Sequence, residues 1–172
     1  MHQKTGQALC LVTGGAGFIG SHLVDRLLAE GYRVRVLDNL STGEKSNLES
    51  SFSRIEWIEA DLRDEEAVRS AVRGVDTVFH VAANRAVLRS VDHPLETHEV
   101  NVTGTLHLLL AAREAKVKRV IFSSSSSVYG ESKKFPLKES DPPNPISPYA
   151  ASKLMGEHYC RIFTELYGLE TV

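Results

Sequence analysis

An apolar run from Ala8 to Thr13 leads directly into Gly14-Gly15-Ala16-Gly17-Phe18-Ile19-Gly20, and a stripe of Ile19, Leu23, Leu27 and Leu28 at helical spacing follows at once. No other stretch constrains the fold so tightly. A run that is apolar almost continuously suits a strand of a parallel sheet covered on both faces. Gly15, Gly17 and Gly20 satisfy a GxGxxG spacing, and Gly14, Gly17 and Gly20 a GxxGxxG spacing. Such glycines let the chain turn tightly and bring the first N–H groups of a helix close to a pyrophosphate. The spacing alone is a weak signal. A buried strand before it and an amphipathic helix after it, ended by Gly31 as a C-cap, make it a strand–turn–helix unit.

The same alternation continues. Further strands are predicted at Arg33–Leu37, Arg54–Glu59, Thr77–Val81 and Lys118–Ser123. A short helix is predicted over Glu65–Val72 behind Asp64 as N-cap, and a long one over His93–Lys116 with Leu106, Leu109 and Leu110 on its apolar face. Ser147-Pro148 reads as an N-cap with proline at the first helical position, opening a helix to about Tyr167 that Gly168 ends. Leu169–Val172 begins a sixth strand. The stretch Lys133–Pro148 holds Pro136, Pro142, Pro143, Pro145 and Pro148 and reads as an irregular surface loop. The expectation is an α/β fold: a Rossmann-like, doubly wound parallel sheet with helices on both faces, one domain over 1–172 that stops within its sixth strand.

Composition excludes several partners. The 172 residues carry a formal net charge of −2 with signs interspersed, so there is no general attraction to nucleic acid or an anionic membrane. No apolar run approaches the roughly 20 residues that span a bilayer. Met1–Ala8 is polar and lacks the apolar segment of a signal peptide. Cys10 falls on a strand and Cys160 on a helix, which suits reduced thiols and a cytoplasmic location. The histidines do not pair with Cys or carboxylates at ligand spacing, so no metal site is expected.

Three groups of residues point to chemistry. Asp38 ends the second strand, 18 positions after Gly20, where a carboxylate can accept hydrogen bonds from both hydroxyls of an adenosine ribose and repel a 2′-phosphate. That favours NAD over NADP, and Arg33 and Arg35 are badly placed to reverse it. Asp61 follows the third strand, where a side chain could meet an adenine edge, although such residues are more often turn or capping residues. Tyr149 and Lys153 lie four apart on one helix face. An ammonium beside a phenol lowers its ordinary pKa of about 10 and makes the tyrosine a usable base for hydride chemistry at a carbinol. The serine run Ser123–Ser127 follows Val120-Ile121-Phe122 directly, at the carboxyl end of a parallel strand, where such sheets bind ligands.

With these motifs in this order, the sequence resembles the extended short-chain dehydrogenases, and among them the NAD-dependent sugar-nucleotide epimerases and dehydratases. The likeness covers nearly the whole chain. Gly14, Gly17, Phe18, Ile19 and Gly20 fall in the family's cofactor loop. Asp38, Asn39, Ser41, Thr42 and Gly43 resemble its ribose turn, and Asp61 and Leu62 its adenine contact. His80-Val81-Ala82-Ala83 is similar to the segment beside the cofactor. Asn101 matches an asparagine that supports the active site. Ser123 and Ser125 match the serine region, and Tyr149 and Lys153 the YxxxK helix.

The resemblance implies that Tyr149 is the base, Lys153 holds the nicotinamide ribose, Ser125 is the catalytic hydroxyl and Ser127 touches the sugar. The implied reaction oxidises C4 of a nucleotide sugar, UDP-glucose or UDP-galactose, and returns hydride to the other face, with NAD regenerated in each cycle. Dehydratases carry an acidic pair where this chain has Ser126 and Ser127, which disfavours water elimination. Epimerases of UDP-glucuronate, UDP-N-acetylhexosamines or ADP-sugars, and related reductases, stay open. Members run to about twice this length, so the C-terminal substrate domain is expected to be absent, and a cofactor-binding module without turnover is the alternative to an enzyme. A homodimer through the helices of Leu106–Leu110 and Tyr159–Leu166 is expected by the same analogy.

Overall fold

The structure, a computed structural model, describes residues 7–132 and 134–172. Met1–Gly6, most of the polar N-terminal stretch, and Lys133, read as the start of the proline-rich loop, lie outside them. The strands are β1 (Leu9–Thr13), β2 (Arg33–Asp38), β3 (Ile55–Glu59), β4 (Thr77–His80), β5 (Arg119–Phe122) and β6 (Glu170–Thr171). They form one parallel sheet in the order β3-β2-β1-β4-β5-β6. This is the doubly wound order, with the reversal between β1 and β4.

Every residue of β1 is buried, and its period of two shows why. Leu9 and Leu11 pack with Val68, Leu108, Leu109 and Phe163 on one face, and Cys10 and Val12 with Val24, Leu27 and Leu48 on the other. The first face is covered by α2 (Glu65–Ala71), α5 (Gly104–Glu114) and α6 (Pro148–Tyr167), the second by α1 (Phe18–Ala29). Replacing Leu11 by alanine would cost about 2–5 kcal/mol through lost burial and the cavity left behind. Burial pushes the thiols of Cys10 and Cys160 up to about 11, so both stay protonated in these cores.

The caps act as their residue types require. Asp64 accepts from Ala67 N–H and Ser147 from Ala150 N–H, and Gly168 ends α6 in the left-handed region with φ 69°. Two expectations need correction. Ile19 is 61% exposed: it belongs to the mouth of a cleft and not to the apolar face of α1, whose buried positions are Gly20, Ser21, Val24 and Leu27. The helix expected over His93–Lys116 is α4 (Pro94–His98), a π-helical turn (Glu99–Thr103) and α5, and Lys116 leaves it at φ 57°. A separate short helix, α3 (Val87–Asp92), precedes it. Among the described residues no helix is long and apolar enough to cross a membrane.

Candidate active site

The strand register decides where chemistry can sit. Thr13 is level with Leu37 on one side and His80 on the other, and His80 is level with Phe122. The residues that follow, Gly14, Asp38, Val81 and Ser123, therefore emerge along one edge at the carboxyl ends of the strands. A cleft of about 320 Å³ opens there, at the switch point where such sheets bind ligands.

One wall is the glycine turn. Gly14 has φ +70°, and a Cβ on it would lie 2.8 Å from the Ala82 backbone. A side chain there would strain the left-handed turn and push the segment after β4 away from β1. Gly20 is packed against the Gly14 carbonyl in the same way. Gly17, Phe18 and Ile19 complete this wall at the start of α1. Beside it stand Asp38, Asn39, Ser41, Thr42 and Gly43 after β2, and Asp61 and Leu62 after β3.

Asp38 is held firmly. It is 7% exposed, and its carboxylate accepts from Ala16 N–H at 2.9 Å and from Leu40 N–H at 2.8 Å. Each oxygen retains a lone pair for a ligand. Asp61 accepts from Asn39 Nδ2 at 2.7 Å and pairs with Arg63; the hydrogen-bonded Arg63 guanidinium leads the effects that draw its carboxyl down to about 2. Arg35 is committed elsewhere, to Glu56 and to the Ala71 and Arg73 carbonyls, so it cannot receive a phosphate at this edge.

The opposite wall is Val81, Ala82 and Ala83 after β4, Ser123 after β5, and Tyr149 and Lys153 from α6. Lys153 is 4% exposed, donates to the Ser123 carbonyl at 2.7 Å and lies 4.8 Å from the centre of the Phe122 ring. Burial draws its ammonium down to about 8. Tyr149 is 9% exposed; its N–H donates to Ser90 Oγ at 3.1 Å and its carbonyl accepts from Ser152 Oγ at 2.7 Å.

Three expected residues stand apart from the cleft wall. Ser125 Oγ donates to Ser127 Oγ at 3.0 Å and accepts from Ser127 N–H, capping the short turn Ser126–Tyr129, and neither serine lines the cleft as Ser123 and Ser124 do. Asn101 is buried behind the wall. It accepts from Asn84 N–H at 2.7 Å and donates to Asn84 O and to Ser152 Oγ, so it supports the site without lining it. The sequence reading missed Asn84, Arg85, Arg89 and Glu96, which also line the cleft, with Arg89 paired to Glu96 at 3.0 Å. The strand end at His80 was the available signal for Asn84 and Arg85; Arg89 and Glu96 enter through α3 and α4, whose break at His93 hides their convergence.

With this geometry in view, similarity to known proteins is informative. Residues 10–172 match the family described as NAD dependent epimerase/dehydratase family. UDP-glucose 4-epimerase of Mycolicibacterium smegmatis is 46% identical over 164 residues, which are 93% of this chain and 52% of that protein. The crystal structure of UDP-glucose 4-epimerase from Thermus thermophilus, in complex with NAD, superposes with a TM-score of 0.89 at 44% identity, covering 95% of this chain and 53% of that one. The dTDP-glucose 4,6-dehydratase of Streptomyces venezuelae, with NAD bound, superposes with 0.90 at 41% identity, covering 95% and 53%. The chain thus spans about half the length of the curated relatives it matches. The match to the family over residues 10–172 establishes that the chain belongs to the NAD dependent epimerase/dehydratase family.

Proposed function

We propose that this chain carries the NAD site and the proton-transfer residues of a nucleotide-sugar epimerase, acting at C4 of a UDP-hexose. The observation that carries the reading is that one cleft at the carboxyl ends of the strands is lined together by the buried carboxylate of Asp38 and by Tyr149 and Lys153 of α6. Gly14, left-handed and closed against the Ala82 backbone, suits the tight turn that brings the start of α1 to a dinucleotide. Asp38 would hold the adenosine ribose, and Gly17–Gly20 would present the N–H groups of α1 to the pyrophosphate. NAD, when bound, supplies a hydride acceptor and donor.

The residues of the chain handle the proton. Tyr149 acts as the phenolate: it takes the proton from the sugar hydroxyl as the carbinol is oxidised, becoming the phenol, and gives that proton back on reduction. The ammonium of Lys153, fixed by the Ser123 carbonyl, stabilises the phenolate form by its charge. Ser125 serves as the catalytic hydroxyl and Ser127 touches the sugar once the hydrogen bond between them opens, an exchange of one neutral hydrogen bond for another. Water elimination would need a further acid and base, and Ser126 and Ser127 supply neither.

A homodimer is proposed through α6, where Ile162 and Leu166 are 37% and 69% exposed. Of the leucines expected to join them, Leu108 and Leu109 are in the core and Leu106 and Leu110 pack against it. Light scattering at rising concentration tests this. For the activity, the test is a coupled assay of UDP-galactose conversion with NAD present. Conversion supports the epimerase reading; NAD binding with no conversion leaves a cofactor-binding module.

A further inference from the structure

His80 is buried at 1% exposure between the two walls of the cleft, and no step above uses it. Its Nδ1 lies 2.8 Å from Thr13 Oγ1 and its Nε2 lies 2.9 Å from Thr105 Oγ1. The hydroxyl protons settle the tautomer. Thr105 Oγ1 donates to the Asn101 carbonyl at 2.6 Å, and a carbonyl can only accept, so Thr105 has no proton left for His80. Nε2 must then carry the hydrogen and donate to Thr105, which leaves Nδ1 to accept from Thr13. Thr13 Oγ1 in turn accepts from Ala82 N–H at 3.2 Å. Every donor in this series has one acceptor, and all the directions agree.

The series reaches both functional walls. At one end Thr13 precedes Gly14, and Ala82 is the residue against which Gly14 closes. At the other end the π turn carries Asn101, whose side chain clasps Asn84 N–H and O and, through Ser152, reaches the Tyr149 carbonyl. We propose that His80 is a positioning residue which, as a neutral imidazole protonated at Nε2, ties the cofactor floor to the π turn and so sets Ala82 and Asn84 for NAD. The proposal rests on the reading of the cleft as an NAD site. Burial, with the charge of Lys153 adding to it, keeps the ring neutral and its pKa at about 3, so the tautomer persists at working pH.

Two measurements test it. Long-range proton–nitrogen NMR of the 172-residue chain should show His80 Nε2 protonated and Nδ1 bare at neutral pH; the other tautomer or an imidazolium would overturn the proposal without any variant having to fold. Calorimetric NAD titration then compares His80→Phe, which keeps a ring and loses both polar atoms, with His80→Gln, which offers one acceptor and one donor. Leaving Thr13 and Thr105 unpaired should weaken NAD binding about 10-fold in the Phe variant, while the Gln variant stays within about 3-fold of the parent. If His80 merely fills space, Phe will bind NAD as well as Gln does, and the proposal fails. Should His80→Phe not fold, Thr13→Val and Thr105→Val carry the same comparison, and full NAD affinity in both would overturn it. A parent chain that binds no NAD, yet shows the expected tautomer, would refute the NAD reading of the cleft and not the hydrogen-bond series.

Discussion

Asp38 and Tyr149 face the same cleft but are held in place by different parts of the chain. The partners of Asp38 are backbone N–H groups 2 and 22 residues away, and β2 pairs with the strand that opens the glycine turn. Tyr149 depends on Ser90, 59 residues away, and on Ser152, which Asn101 reaches across 51 residues. The Asp38 side of the cleft thus comes mainly from one strand–turn–helix–strand unit, with Asp61 and Leu62 added after β3. The Tyr149 side forms only when α3, the π turn, β5 and α6 have all docked. Outside the His80 series that links the two sides, binding and chemistry should therefore be separable by mutation, each change acting chiefly on its own wall.

The largest separation should come from Tyr149→Phe. If Tyr149 is the base, the coupled assay loses about 10²–10⁴-fold in turnover, while NAD affinity measured by calorimetry stays within about 3-fold of the parent. A variant that keeps most of its rate would remove Tyr149 from the chemistry.

Acid should loosen the hinge between the walls. His80 is held at about 3 against an ordinary 6.5, so the unfolded chain takes up a proton below pH 6.5 that the folded chain refuses until about pH 3. Stability present above pH 6.5 is therefore lost as the pH falls, by at most about 1.4 kcal/mol per pH unit from this group. Urea melts of the parent against His80→Gln between pH 6.5 and 4 isolate that part; parallel curves would show that the ring titrates normally.

Asp38→Ala should act on the other wall alone. Loss of a charged acceptor predicts a rise of about 10–100-fold in the NAD dissociation constant, with discrimination against NADP shrinking at the same time. The smallest effect is expected from Ser90→Ala, which removes the hydroxyl that receives Tyr149 N–H. It should destabilise by about 1 kcal/mol, or about 2–4 °C in Tm, and should lower turnover more than NAD affinity. An equal effect on both would mean the walls are not independent.

The same division explains what could be read in the sequence. Thr13–Gly20, Asp38 and the Ser147-Pro148 cap lie where they were expected because each is decided by residues within a few positions: glycines in a tight turn, a carboxylate at a strand end, a serine before a proline. Helix α3 and the π turn were missed: α3 lies ahead of the expected start at His93, and apolar spacing from Leu95 to Leu110 runs through the π turn without interruption. Ser125 matched its motif by order along the chain, and order carries no orientation; its hydroxyl turns to Ser127. His80 and Ser90 gave no local signal, since their partners are 67, 25 and 59 residues distant.

Whether the cleft is an NAD site defined by Asp38 is tested most directly by calorimetric titration of the 172-residue chain with NAD and with NADP. Tighter binding of NAD, by about 10-fold or more, is predicted from the carboxylate's repulsion of a 2′-phosphate. Equal affinity for the two, or tighter binding of NADP, would contradict it.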